Sequence, residues 1–233
     1  MSLDFPAAQS DISARLVRAR REIAEACARS GRTDDVTVVA VTKTFPPSAI
    51  DAAVAAGLED IGENRVQELR EKVDQVTVHP RWHMIGHLQS NKVRDAVRLC
   101  DVIQTVDSLA LAERIGREAA STGREMAILF QVNIGSEPQK SGLPPGSVLD
   151  MAREAAAVEG LRVRGLMAIP PLAEENQTRD YFRQMRKLSG SLQDALGPDS
   201  GVLSMGMSGD FVMAVEEGAT MVRLGSYLFG GRS

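Results

Sequence analysis

Short apolar runs rich in β-branched residues recur along the chain and alternate with longer segments of helical spacing. The runs fall at 36–41, 60–61, 82–85, 102–104, 127–132, 161–167, 201–203 and 221–224. They read as continuous apolar stretches, which marks strands buried on both faces and hence a parallel sheet of βαβ units. The segments 47–56, 64–75, 91–99, 109–120, 147–158 and 178–196 carry helical spacing or helix-forming composition, and a further helix starts near Phe211. Before the first strand, Ile12, Leu16, Ile23 and Cys27 form one apolar face of a helix, with Ser10 or Asp11 as its cap and Gly31 as its close. Eight strand–helix units close an α/β single-domain (β/α)8 TIM barrel with an extra N-terminal helix. A six- or seven-stranded doubly wound sheet is the alternative, decided by the short second and seventh strands.

A length of 233 residues suits one such barrel. No flexible linker or charge run divides the chain, so one domain is expected over 1–233, with the glycine- and proline-rich stretch 135–146 as an ordered loop or lid. Hydrophobic residues at 43% and charged residues at 25% exclude the disordered, fibrous and disulfide-rich classes. Twenty-seven basic against 31 acidic residues give −4, so no global positive field gathers nucleic acid or an anionic membrane. Cys27 and Cys100 belong to no metal or redox motif and read as reduced structural thiols. Residues 1–6 lack a signal-peptide pattern, and no apolar run nears the roughly 18 residues of a membrane span, which gives a cytoplasmic reading.

Barrels of this kind place their chemistry where the strands end. That filter selects Lys43, 62–64, 86–87, 168–171, 204–210 and 225–226. Lys43 is one of five lysines among 27 basic residues. At a strand end its amine suits a Schiff-base nucleophile in a desolvated mouth, but position alone favours a lysine reaching past the strand to solvent. Ser204-Met-Gly-Met-Ser-Gly-Asp210 reads as a small-residue turn whose amides suit a phosphate, or as an ordinary helix cap by Ser208 or Asp210. Arg223 lies inside an apolar run before Gly225-Ser226, so its guanidinium requires an acceptor, and a barrel carboxylate would serve. His79, His83 and His87 are spaced by four, but strand geometry sets such positions roughly 13 Å apart, too far to share a metal. His83 then points into the barrel or its mouth, and His87 lies in a loop.

Six ordered motifs carry a resemblance: Val39-Ala-Val-Thr-Lys43, Gly62-Glu-Asn-Arg-Val-Gln-Glu68, Trp82-His-Met-Ile-Gly-His-Leu-Gln-Ser-Asn-Lys92, 165–171, 204–208 and 222–226. Together they resemble the YggS/PROSC family of pyridoxal phosphate homeostasis proteins over nearly the whole chain. The resemblance implies a fold type III barrel like the N-terminal domain of alanine racemase, with pyridoxal 5'-phosphate held as an internal aldimine on Lys43. It implies a phosphate site from Ser204, Gly206, Met207, Ser208, Gly225 and Ser226, with Arg223 facing the pyridine nitrogen and Asn64 near the ring. Ala168 and Ser226 stand where many relatives have threonine, so one hydroxyl is lost and one retained.

Two functions follow. The resemblance implies a cofactor-binding protein of vitamin B6 and amino-acid homeostasis, with cofactor-requiring apoenzymes as recipients, and the cofactor's chemistry invites a racemase-like enzyme instead. Racemases of this fold take a second-face tyrosine base from an added domain, whereas this chain has only Tyr181 and Tyr227. That favours a carrier without turnover. The lack of an obvious exposed apolar stripe permits a monomer.

Overall fold

A computed structural model describes residues 9–230, and the reading of 1–6 lies outside them. Eight parallel strands close a barrel in sequence order: β1 (Thr37–Val41), β2 (Asp60–Glu63), β3 (Arg81–Met84), β4 (Val102–Val106), β5 (Met126–Val132), β6 (Leu161–Ala168), β7 (Val202–Met207) and β8 (Met221–Leu224). The ring shuts where β8 pairs β1, Val222 opposite Val38, which overturns the doubly wound alternative. Helices α2 (Pro47–Ala55), α3 (Val66–Val73), α4 (Val93–Leu99), α5 (Leu109–Ser121), α6 (Val148–Ala156), α7 (Glu175–Leu196) and α8 (Phe211–Glu216) follow the first seven strands. The last strand is followed by α9 (Ser226–Phe229), a single turn that the sequence pattern does not reveal.

The extra helix α1 (Gln9–Arg29) buries Ile12, Leu16, Ala19, Ile23 and Ala26 against α8, α2 and α9. It runs from Gln9, so Ser10 and Asp11 lie within its first turn and not at a cap. Gly31, at φ +68°, closes it as expected. Arg15 Nη1 donates to Leu228 O at 3.0 Å and ties α1 to the turn after β8.

Side chains alternate along each strand, and this sorts apolar from polar. Val38 and Ala40, Trp82 and Met84, Leu203 and Met205, and Val222 and Leu224 face the layer between sheet and helices. Each large apolar side chain buried there contributes about 1.5–3 kcal/mol. The intervening residues Val39, His83, Ser204 and Arg223, joined by Gln104 of β4, occupy the barrel interior, all at most 3% exposed.

Strand β7 corrects the sequence reading. Ser204 to Met207 looks like a small-residue turn, yet it is strand, and the turn spans only Ser208 to Asp210. The register slips between Ser204 and Met207, with Gly206 at φ +90°. A Cβ on Gly206 would lie 2.5 Å from Ala214 Cβ, so this glycine lets α8 pack on the strand end. In the loop 135–146, Asn133 Nδ2 donates to Glu137 O at 2.7 Å, and Leu143 pairs with Val132, which makes it an ordered flap beside the mouth.

Candidate functional site

At the C-terminal end of the barrel lies a cavity of about 300 Å³. Seven of the nine residues expected from sequence line it: Lys43, Asn64, Met207, Ser208, Arg223, Gly225 and Ser226. Val41, Phe45, Ile85 and Ile169 supply apolar wall. Gly209, within the 204–210 segment selected from sequence, also faces it, as does Gly230, which sequence reasoning missed. Ser204 and Gly206 do not line it, because the longer β7 carries both below the rim.

Lys43 lies two residues past the end of β1, half-buried, and its amine makes no hydrogen bond or ion pair among the described residues. The backbone around it is tightly held. Thr44 sits at φ +68°, a left-handed conformation that costs a β-branched residue strain of order 1–3 kcal/mol. Its N–H donates to Glu68 Oε1. On the other side, Thr42 Oγ1 donates to Glu63 Oε1 at 2.6 Å, and Lys72 Nζ donates to Thr42 O at 2.7 Å. Lys72 also reaches Glu63 Oε1 and Glu68 Oε1, each at 2.7 Å. A buried lysine and two carboxylates therefore clamp the residues before and after Lys43. Burial pushes Glu63 above the usual carboxylate range despite Lys72, and its Oε2 has no partner among the described residues. Sequence reading places Glu63 at a strand end but misses Lys72, whose helical position suggests solvent.

At the ends of β7 and β8, the latter paired with β1, Ser208 Oγ accepts from Gly225 N at 3.3 Å and from Tyr227 N at 3.1 Å. That hydroxyl joins the turn after β7 to the start of α9. Asp210 Oδ1 accepts from Met207 N at 2.6 Å and fixes the same turn from its other end. Two glycine-bearing turns thus meet at one wall with hydroxyls at Ser208 and Ser226.

Among the described residues Arg223 has no carboxylate hydrogen-bond or ion-pair partner, contrary to the barrel salt bridge weighed from sequence. Nη1 donates to Ser204 O at 2.9 Å and Ser204 Oγ at 2.7 Å, and Nη2 donates to Ala168 O at 3.0 Å. Burial pulls its pKa down to about 10, so it stays charged at neutral pH. A buried cation hydrogen-bonded only to neutral acceptors among the described residues, with a face on the cavity, can donate to an acceptor atom of a ligand. Ser204 acts here as a strut under Arg223, and Ala168 contributes its carbonyl.

Residues 16–233 match the family model described as alanine racemase, N-terminal domain. A pyridoxal phosphate homeostasis protein of Aquifex aeolicus is 38% identical over 221 residues, 94% of this chain and 97% of that one. The chain belongs to the pyridoxal phosphate homeostasis protein family. The relative from Pseudomonas aeruginosa is 40% identical over 227 residues, 96% of each chain. PipY of Synechococcus elongatus with pyridoxal phosphate bound is 40% identical, with a TM-score of 0.78, covering 89% of this chain and 100% of PipY.

Proposed function

We propose that this protein binds pyridoxal 5'-phosphate and serves vitamin B6 and amino-acid homeostasis in the cytoplasm. The observation that carries the reading is the convergence of an unpartnered lysine, a carboxylate-free buried arginine and two serine-bearing turns on one cavity. The donor set on this one cavity suits the group's three polar features. Ser208, Gly225 and Ser226 would hold the phosphate, Arg223 would donate to the ring nitrogen, and Lys43 would present its amine to the aldehyde. Asn64, which lines the same cavity, would border the ring. When bound, the cofactor supplies an aldehyde that condenses reversibly with amines.

The carrier reading is favoured over a racemase by what faces Lys43. A racemase needs a second proton-transfer group opposite the lysine, but neither Tyr181 nor Tyr227 lines the cavity, and Tyr227 packs edge-on against Phe211 at 5.1 Å. We read the protein as a monomer that passes its cofactor to apoenzymes. Ile169 and Met207, both 39% exposed, line the cavity and offer apolar surface suited to such transient contacts. No helix among the described residues is long and apolar enough to cross a membrane.

Absorbance titration with pyridoxal 5'-phosphate and with pyridoxal, followed by incubation with common amino acids, tests this reading. The account expects a strong preference for the phosphorylated form and no turnover above free cofactor. Equal affinity for both, or sustained racemisation, would overturn it.

A further inference from the structure

The barrel interior holds an unbroken polar chain where such barrels usually stack apolar side chains. Asp60, the first residue of β2, lies at the end opposite the cavity, where Arg81 Nε and Nη2 donate to its carboxylate at 2.6 and 3.0 Å. Asp60 Oδ1 lies 2.7 Å from His83 Nε2, His83 Nδ1 lies 2.9 Å from Gln104 Nε2, Gln104 Oε1 lies 2.7 Å from Ser204 Oγ, and Ser204 Oγ lies 2.7 Å from Arg223 Nη1. His83, Gln104 and Ser204 are at most 1% exposed.

The two ends, together with the orientation of the Gln104 amide, fix the polarity of the chain. A guanidinium only donates, so Ser204 Oγ accepts from Arg223 and turns its own hydrogen to Gln104 Oε1. A carboxylate only accepts, so His83 carries its hydrogen on Nε2 and leaves Nδ1 to accept from Gln104. The second hydrogen of Gln104 Nε2 points to Met221 Sδ at 3.2 Å, which holds the amide that way round. A second proton on His83 would set two donors face to face at Gln104, so the chain is complete only with His83 neutral.

We propose that Asp60, His83, Gln104 and Ser204 are positioning residues that hold Arg223 in one orientation toward the cavity ligand. Bonds aligned in one direction polarise one another in a buried setting. The carboxylate of Asp60, which only accepts, closes the far end of that aligned chain. Three of the five N–H groups of Arg223 are committed to Ser204 and Ala168, which leaves the Nε–H and one Nη2 hydrogen for a ligand. This inference rests on the reading that Arg223 faces the ring nitrogen of pyridoxal phosphate, but the chain itself can be measured without cofactor.

The first measurement is the ¹⁵N spectrum of His83 in the cofactor-free protein at neutral pH, assigned by comparison with His83→Phe. The expected result is a neutral ring with its hydrogen on Nε2, and a charged ring or the opposite tautomer overturns the chain. The second is the ring-nitrogen ¹⁵N shift of bound pyridoxal 5'-phosphate in the parent, Ser204→Ala, Ser204→Thr and Gln104→Leu proteins. Ser204→Ala and Gln104→Leu should move that resonance and weaken binding about tenfold, the loss of one hydrogen bond to a charged group. Ser204→Thr, which keeps the hydroxyl, should retain the parent shift. An unchanged resonance in Ser204→Ala, with cofactor bound, overturns the positioning role and leaves the binding reading intact. Failure of the parent to bind cofactor, with His83 as expected, overturns the binding reading and leaves the chain.

Discussion

Lys72 Nζ stands 2.7 Å from Glu63 Oε1, and both side chains are buried beside the backbone that presents Lys43. Removing one partner of such a pair strands the other charge, at a cost of about 3–5 kcal/mol. Lys72→Met should therefore lower the urea midpoint strongly. The double variant Lys72→Met, Glu63→Gln should lose less than the sum of the single changes, because the stranded charge is gone. Additive losses in urea denaturation would show that the clamp is not a coupled unit.

Gly206 and Gly209 lie three residues apart and should respond oppositely to alanine. Gly206 is at φ +90° with Ala214 in the way, whereas a Cβ on Gly209 meets nothing within 4 Å. Gly206→Ala should cost about 1–3 kcal/mol, and Gly209→Ala should stay within about 0.5 kcal/mol. Thermal melts of both variants decide it, and a tolerated Gly206→Ala would refute the packing argument.

The same contrast shows how far the sequence was legible. Continuous apolar runs and helical spacing suffice for the barrel, since burial on both faces leaves its mark on every strand. The extent of β7 is hidden because Ser204 and Gly206 belong to the residue types that make turns, and only the closed barrel reveals that one faces inward and the other packs under α8. Lys43, Ser208 and Arg223 stand at strand ends that the pattern locates. Lys72 and Gln104 carry no such signal, because their roles depend on partners on other strands and helices.

Ser208 Oγ accepts from two amides at the start of α9. Ser208→Ala should cost about 1 kcal/mol, the scale of a lost cap, and should weaken phosphate-dependent binding while leaving the barrel folded. Calorimetry with inorganic phosphate and with pyridoxal 5'-phosphate reads both effects. Unchanged affinity for either anion would remove Ser208 from the anion site.

Burial opposes ionisation of Asp60, but hydrogen bonds from His83 and Arg81 outweigh it and hold the carboxyl below its ordinary range. The unfolded chain then binds more protons here than the folded one. Stability from this group is present above the ordinary carboxylate pKa of about 4 and is lost as pH falls through the depressed value. Asp60→Asn should be less stable than the parent near neutrality and should show a flatter loss between about pH 5 and about pH 3. Parallel urea-midpoint curves for the two proteins would contradict the assignment.

The central claim is that Lys43 is the residue that engages the cofactor, and five lysines make it directly testable. The protein is loaded with pyridoxal 5'-phosphate, reduced with borohydride, digested and mapped by mass spectrometry. The account predicts the pyridoxyl group on Lys43, and a Lys43→Ala protein that folds but takes up no label. A label on Lys72, Lys92, Lys140 or Lys187 in the parent, with Lys43 unmodified, would contradict it.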